Sequence, residues 1–495
     1  MNDSQQTQTG RSKLRNRLKI GVFWTLLGTI GHRGFNAIAS VVVARILGPA
    51  VFGQYVMVHT TVQLFTAFAG FRLGSTSTKY IAEFRESDPA RAGRILALVV
   101  VATLASCGLL SVIVFVMSDW LAVNRLSRPQ LATPIAIGAL YLFLMMVGNV
   151  FQRTLAGFED FRGIASVGIV RGVASLLVCI PLAHYYGLIG TIVALVLTAS
   201  VAAVHVLYLV VRQTKSSQLI VPFRWREMSQ ESSILFSFAL PAMLTGFVLV
   251  VTAWQGRAML MHSNNGDFEL GVFSAADQFR LIVLFLPNAI GNVVLPLLSK
   301  SSADDQSGEF EYTFLLNMQM VQRIAMPAAL FGIAATSGLV AVFGAKYVAA
   351  EPVIPVVMLA VFVYSLNQAV RQAFTATTRL YTNLMMHIIW GAVFIVCCAY
   401  FVPRHGAIGF AWVHVIADGI LLLLQLGYVL TWITPIREND CSYLLPIALS
   451  VATLAGIILL GDKFGITCRT VVSVCAFLIA AAPTVRLFLN SAELT

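Results

Sequence analysis

The sequence predicts an all-α polytopic membrane protein with about 14 transmembrane helices, in two six-helix lobes followed by two extra C-terminal helices. Three observations predict it. The 495 residues are 58% hydrophobic and only 11% charged, with a mean hydropathy of +0.82, against about 25% charged residues in a soluble domain. The apolar stretches are long enough, at about 1.5 Å per residue, to cross a hydrocarbon core. They are too continuous for barrel strands, and in lipid only helices or closed barrels satisfy the backbone. Finally, the chain repeats itself: GLIGTIVALVL at 187–197 matches GAIGFAWVHVI at 406–416, an offset of 219 residues.

Residues 1–19 are polar and end in Arg11, Lys13, Arg15, Arg17 and Lys19, a basic lead-in expected to stay in the cytoplasm. It lacks the short apolar core and cleavage site of a removed signal peptide. Two spans follow, about 20–46 and 51–72, joined by Leu47-Gly48-Pro49-Ala50. On the first, Thr25, Thr29, Arg33, Asn36 and Ser40 fall on one helical face. Arg33 sits roughly 20 Å along the helix from Ile20, near the bilayer middle. A guanidinium there needs water, a partner or an anionic ligand. The second span answers with His59, Gln63 and Thr66, so the hairpin reads as one wall of a polar cavity.

A charged loop is expected from Lys79 to Arg94, and spans near 95–117, 131–151, 164–183 and 187–211 complete an N-lobe over 20–232. Spans near 233–262, 271–298, 315–343, 353–371, 384–402 and 406–432 make a C-lobe over 233–432, and those near 442–460 and 470–489 fall in 433–495. Basic residues such as Lys79, Arg85, Arg91, Arg94, Arg212, Lys215, Arg224 and Arg226 collect where this topology places cytoplasm, with both termini inside. The outer loops are short and poorer in them.

The 219 offset also sets Arg171-Gly172 on Trp390-Gly391, Asn149 on Gln368 and Gln152-Arg153 on Arg371-Gln372. Upstream, Phe52-Gly53-Gln54-Tyr55 faces Leu270-Gly271-Val272-Phe273, and Arg45 answers Arg257. Six helices is an even number, so both copies share one orientation, related by an axis along the membrane normal. Paired bundles of this kind suit alternating access.

Residues 40–83, SVVVARILGPAVFGQYVMVHTTVQLFTAFAGFRLGSTSTKYIAE, resemble the opening of the polysaccharide-biosynthesis flippases of the multidrug/oligosaccharidyl-lipid/polysaccharide exporter superfamily. GVFSAADQ at 271–278, FGAKYVAAEPVIPVV at 343–357 and the two GxIG helix starts are similar too. The resemblance implies two six-helix lobes, a cationic central cavity and a polyprenyl-pyrophosphate-linked oligosaccharide as cargo, moved between leaflets of a bacterial cytoplasmic (inner) membrane. It also implies a polysaccharide polymerase or glycosyltransferases as partners. One departure stands out: relatives often carry an acidic residue near the end of helix 7, where this chain has Gln255-Gly256-Arg257.

The residues fit such a cargo. Arginine stays charged and its planar fork matches phosphate, while hydroxyl and amide groups suit a glycan. The candidate cavity set is Arg33, Asn36, Thr29, His59, Gln63, Arg171 and Arg257. For Arg171 the structural alternative is snorkelling to the interface. For energy coupling the candidates are Asp418, one turn after His414, and Asp277, which could instead neutralise Arg280 three residues on. His32 neighbours Arg33 but points to another face. Pro287, Asn288, Asn292 and Pro296 suggest a bent helix 8. Nucleic acid is excluded as a partner, because no soluble basic domain is present. Cysteines show no metal spacing, no cofactor is expected, and an enzyme is disfavoured because the longest outer loop is about 118–130 and no GxxxxGK[ST] occurs. The alternatives are a multidrug/cation antiporter of the same superfamily, which would favour an anionic cavity, and a peptidoglycan-precursor flippase.

Overall fold

The computed structural model describes residues 2–66, 73–219, 221–222, 240–303, 307–433, 444–464, 470–477 and 480. Among these, regular structure is helical throughout. The main helices are α1 (Asn2–Thr66), α2 (Leu73–Phe84), α3 (Pro89–Val116), α4 (Ala132–Gly157), α5 (Phe161–Ser216), α6 (Leu240–Met261), α7 (Gly266–Asp277), α8 (Arg280–Ala303), α9 (Ser307–Ala334), α10 (Thr336–Phe343), α11 (Val353–Ala376), α12 (Leu380–Tyr428) and α13 (Leu444–Phe464). Seven helices among the described residues are long and apolar enough to cross a membrane, or eight if the bent pair Gly308–Ala334 and Thr336–Phe343 forms one span.

Three of those long helices each hold two of the predicted spans, and a glycine marks the division. Gly48 in α1 has φ 73°, Gly187 in α5 has φ 56° and ψ −129°, and Gly406 in α12 has φ 53° and ψ −131°. Only glycine adopts these angles without strain. The near-identity of Gly187 and Gly406 puts the sequence repeat into the backbone. So does the next glycine pair: a Cβ on Gly190 would lie 2.0 Å from the Leu182 carbonyl oxygen, and one on Gly409 would lie 2.5 Å from that of Phe401, the same two positions in each copy. In the second copy Glu269 caps the restarted helix, its Oε2 accepting from the Ala407 amide at 2.7 Å.

Several boundaries differ from expectation. The polar lead-in is not separate from the first span, since α1 already begins at Asn2. The expected loop after Lys79 is helical to Phe84, because α2 lays Ser77 against Thr154 (2.7 Å) and Thr78 on the Arg153 carbonyl (2.7 Å) of α4. The span expected over 271–298 is divided: α7 ends at Asp277 and α8 restarts at Arg280. Pro287 and Pro296 do lie inside α8. The stretch expected over 315–343 bends by 66° between α9 and α10. In the segment that follows α10, Tyr347 is fully buried beside Phe343, and burial pushes its phenol up. Most of the span expected over 470–489, and the first residues of that over 233–262, lie outside the described residues.

The chain forms two compact units: Met1–Leu47 with Met57–Met243, and Gly48–Val56 with Leu244–Thr495. In the first, α3, α4 and α5 enclose a core of Cys107, Val147, Phe151, Leu155, Val167 and Val206. Asp160 caps α5, accepting from the Gly163 amide at 2.8 Å and from Gln213 Nε2 at 2.8 Å. In the second, α11 is the central helix, apolar and buried along most of its length. Polar pairs tie its neighbours: Asn317 donates to Gln372 (3.1 Å), Gln322 to Ser450 (2.8 Å) and Gln425 to Asn383 (3.0 Å).

The segment Gly48–Val56 packs against α7 through reciprocal glycines. A Cβ on Gly53 would lie 1.9 Å from the Asp267 carbonyl oxygen, and one on Gly271 would lie 1.8 Å from that of Pro49. Each glycine therefore rests on the carbonyl four residues before the other. Gln54 adds a hydrogen bond to Asp267 at 3.0 Å. This two-way crossing is the physical reason for the matching FGQY and LGVF motifs.

Candidate functional site

In the first unit, the polar face of α1 meets α4 and α5. Arg33 is exposed and Asn36 and Thr29 are half-buried. Asn36 Nδ2 lies 3.3 Å from the His32 ring, so His32 shares the cluster instead of pointing away from it. His32 lies in the field of both Arg171 and Arg33. Arg171, half-buried on α5, reaches the buried Tyr141 phenol of α4. The Tyr141 ring is 5.9 Å from His59, and His59 pairs with exposed Gln63 at 3.3 Å. Arg33, Asn36, Arg171, His59 and Gln63 thus fall into one neighbourhood, and Tyr141 and His32 complete it.

In the second unit, Arg257, Asp277, His414 and Asp418 line two adjoining spaces. The larger is a cavity of about 170 Å³ reached by Arg257 (α6), Arg280 (α8), Arg371 (α11) and Asp418 (α12). The smaller shares Arg280, His414 and Asp418 with it and adds Asp277. Arg280 Nε bonds Asp277 Oδ1 at 3.2 Å across the break between α7 and α8. Arg257 donates to the Ala253 carbonyl at 3.2 Å, while its buried Nε has no partner.

Asp418 and His414 share the cavity, yet each bonds elsewhere. Asp418 Oδ1 accepts from Trp390 Nε1 at 2.9 Å, and Asn367 Nδ2 donates to the Asp418 carbonyl at 2.8 Å. His414 Nδ1 faces the Phe410 carbonyl at 2.9 Å, and His387 Nδ1 faces that of Asn383 at 2.8 Å. A carbonyl can only accept, so each Nδ1 carries a proton. Phe273, Phe394 and Phe410 surround the His414 ring at 4.8–5.4 Å.

Sequence reasoning missed Arg371, Trp390, Asn367 and Tyr364 as cavity residues. The repeat contained the signal. At the same offset, a small space in the first unit is lined by Met145, Gly148, Gln152, Arg171 and Ala199. Their counterparts are Tyr364, Asn367, Arg371, Trp390 and Asp418. Polar substitutions at equivalent positions mark where the copies diverged. Among the described residues no cluster of three His, Cys, Asp or Glu could hold a metal ion.

Fold and site define a duplicated, multi-span helical membrane protein whose spans carry arginines around polar interiors. The profile of the polysaccharide biosynthesis protein family matches residues 18–302, and the chain belongs to that family. It is similar to the EPS I polysaccharide export inner membrane protein EpsE of Ralstonia nicotianae (strain ATCC BAA-1114 / GMI1000), 24% identical over 276 residues, covering 55% of this chain and 61% of that protein. It is similar as well to the succinoglycan biosynthesis transport protein ExoT of Rhizobium meliloti (strain 1021), 23% identical over 352 residues, covering 68% and 65%. The chain therefore matches less than two thirds of either relative's length. By structure it resembles lipid II flippase MurJ in an inward closed conformation, with a TM-score of 0.69 at 14% identity, covering 94% of this chain and all of that one. An inward-facing MATE multidrug transporter gives 0.65 at 13% identity, covering 82% and 98%. At these identities the likeness is one of fold.

Proposed function

We propose that this chain moves a polyprenyl-pyrophosphate-linked oligosaccharide from the cytoplasmic to the outer leaflet of a bacterial inner membrane, supplying surface polysaccharide assembly by alternating access. The observation that carries this reading is arginine inside two long apolar helices of the first unit, Arg33 on α1 and Arg171 on α5. An isolated cation in hydrocarbon is costly and marks a ligand path. A pyrophosphate cannot cross hydrocarbon alone, and guanidinium forks bind it without needing to titrate. EpsE is a polysaccharide export protein and ExoT a succinoglycan biosynthesis transport protein.

In this reading Arg33 receives the pyrophosphate, Arg171 supports it, and Thr29, Asn36, His59 and Gln63 hydrogen-bond the head group, while the lipid tail stays in the bilayer. Arg257 lines the second unit's own cavity. Asp418, with His414 and Asp277 in the adjoining spaces, carries the protons that couple transport. A polymerase or glycosyltransferases consume the delivered intermediate. No covalent step is required of this chain.

The test is complementation. In a deletion strain lacking surface glycan, wild type and Arg33→Ala are restored at matched membrane levels, and lipid-linked glycan is measured in each leaflet. Wild type restores export, while Arg33→Ala leaves the intermediate in the cytoplasmic leaflet. An intermediate that reaches the outer leaflet normally in the uncomplemented strain would sink the flippase reading and favour polymerisation.

A further inference from the structure

The second unit gathers more positive than negative charge around its interior cavity. Arg257, Arg280 and Arg371 line it, and the carboxylates of the two adjoining spaces are Asp418 and Asp277. Guanidinium does not deprotonate in proteins. With both carboxylates charged, one positive charge remains unbalanced, and each protonation enlarges the surplus. Unbalanced charge focused in a cleft between low-dielectric walls raises the local concentration of counter-ions.

The cavity also offers unspent hydrogen-bond donors. Arg257 Nε is buried without a partner. The Tyr364 hydroxyl accepts from Gln368 Nε2 at 2.9 Å, which leaves its own proton to donate. Arg371 uses one Nη on Gln368 and lines the cavity. Asn367 Oδ1 and Gln425 Oε1, on residues that line the cavity, are likewise buried without a partner. A volume of about 170 Å³ holds a single small ion with a few waters at about 30 Å³ each.

The equivalent place in the first unit lacks these features. Its space is only about 10 Å³, and Ala199, Gln152, Gly148 and Met145 stand where the second unit has Asp418, Arg371, Asn367 and Tyr364. The surplus charge and the room arose together in one copy of the duplication.

We propose that the second unit holds a resident small monovalent anion, of the halide or nitrate class, in the cavity lined by Arg257, Arg280, Arg371 and Tyr364. The ion balances the surplus guanidinium charge and is separate from the cargo. A single charge is selected over a phosphate because Asp418 shares the cavity and the surplus is one. Charge at Asp418 opposes the anion, so whatever neutralises that carboxylate tightens anion binding.

The full-length protein, purified in detergent, tests this by chloride-35 NMR line broadening at constant ionic strength, with gluconate replacing chloride. Chloride broadening that saturates and is displaced by nitrate, but not by inorganic phosphate at equal concentration, is expected. Asp418→Asn, close to isosteric, should raise chloride affinity by about tenfold, and Arg257→Gln should lower it by at least as much. The rise in Asp418→Asn keeps the test decisive where Arg257→Gln misfolds, because damaged folding does not strengthen binding. Absence of saturable broadening means the cavity holds water alone and overturns the proposal. Tighter displacement by phosphate makes the site a phosphate subsite and also overturns it. Chloride binding unchanged in Asp418→Asn places the ion elsewhere and overturns it too. None of these outcomes depends on lipid-linked glycan, so the flippase reading stands or falls separately.

Discussion

Replacing Gly271 by alanine puts a methyl group where the Pro49 backbone already lies. The new Cβ would sit 1.8 Å from the Pro49 carbonyl oxygen and 2.6 Å from its carbon. Reaching even 3.0 Å from the oxygen requires the two segments to part by about 1.2 Å, and neither obstacle is a side chain that can rotate away. Overpacking of this kind costs about 1–3 kcal/mol. Alanine returns at most about 1 kcal/mol in helix propensity, so the net loss should be about 1–2 kcal/mol. Gly53→Ala, facing the Asp267 carbonyl at 1.9 Å, should lose a similar amount. The double substitution should cost less than the sum, because the first methyl has already separated the backbones. Thermal unfolding in one detergent is the assay, with Gly456→Ala as control, since nothing lies within 4 Å of a Cβ there. A Gly271→Ala protein that unfolds at or above the wild-type temperature would refute the close crossing.

Other outcomes follow from the same structure. Gly187→Ala and Gly406→Ala force alanine into φ 56° and 53° and should each destabilise by about 1–3 kcal/mol, Gly406→Ala by the larger amount because its Cβ would also lie 2.5 Å from Glu269 Oε2 whereas nothing lies within 4 Å at Gly187; unfolding temperatures measured side by side check this. Trp390→Phe removes the indole donor from the Asp418 carboxylate and should cost about 1.5–3 kcal/mol. In an Asp418→Asn background the same change should cost clearly less, and a double-mutant cycle on thermal stability reads the difference. Asp160→Ala uncaps α5 and frees Gln213, for a loss of about 0.5–2 kcal/mol, seen as a lower midpoint without loss of export in the complementation assay.

The helical, duplicated fold was legible because hydropathy and the repeat are local sequence properties. The breaks at Gly48, Gly187 and Gly406 sit where the motifs placed span boundaries. Helix ends were less legible. GVFSAADQFRLIV has no glycine or proline where α7 stops at Asp277; the polar Asp277, Gln278 and Arg280 there read equally well as an i, i+3 pair within one span, and Arg280 bonds Asp277 across the break. The polar clusters were half legible. Arg33, Arg171, Asp418 and His414 are conspicuous within apolar runs. Arg371 is not, because an arginine near a helix end reads equally well as an interfacial anchor. Its membership of the cavity depends on the depth of α11, which pattern alone does not give.

Comparing the copies residue by residue gives a reason for their divergence. In the first, the lone arginine of α5's inner stretch, Arg171, satisfies itself on Tyr141, and the surrounding positions stay small: Gly148, Ala199, Ala202 and Ala203. In the second, the equivalent of Arg171 is Trp390, and the charge moves to three helices that face a carboxylate on a fourth. A tryptophan at that position supplies one donor to Asp418 without a charge of its own. An arginine there would pair the carboxylate outright and remove its freedom to respond to protons or anions. The substitution therefore keeps Asp418 bound by a single neutral donor, with charge held at a distance. Trp390→Arg should set the first copy's arginine against a carboxylate the first copy lacks: Asp418 becomes ion-paired, stability holds or rises, and the coupled function is lost. Retained export with Trp390→Arg, at normal membrane levels, would mean that Asp418 serves packing alone.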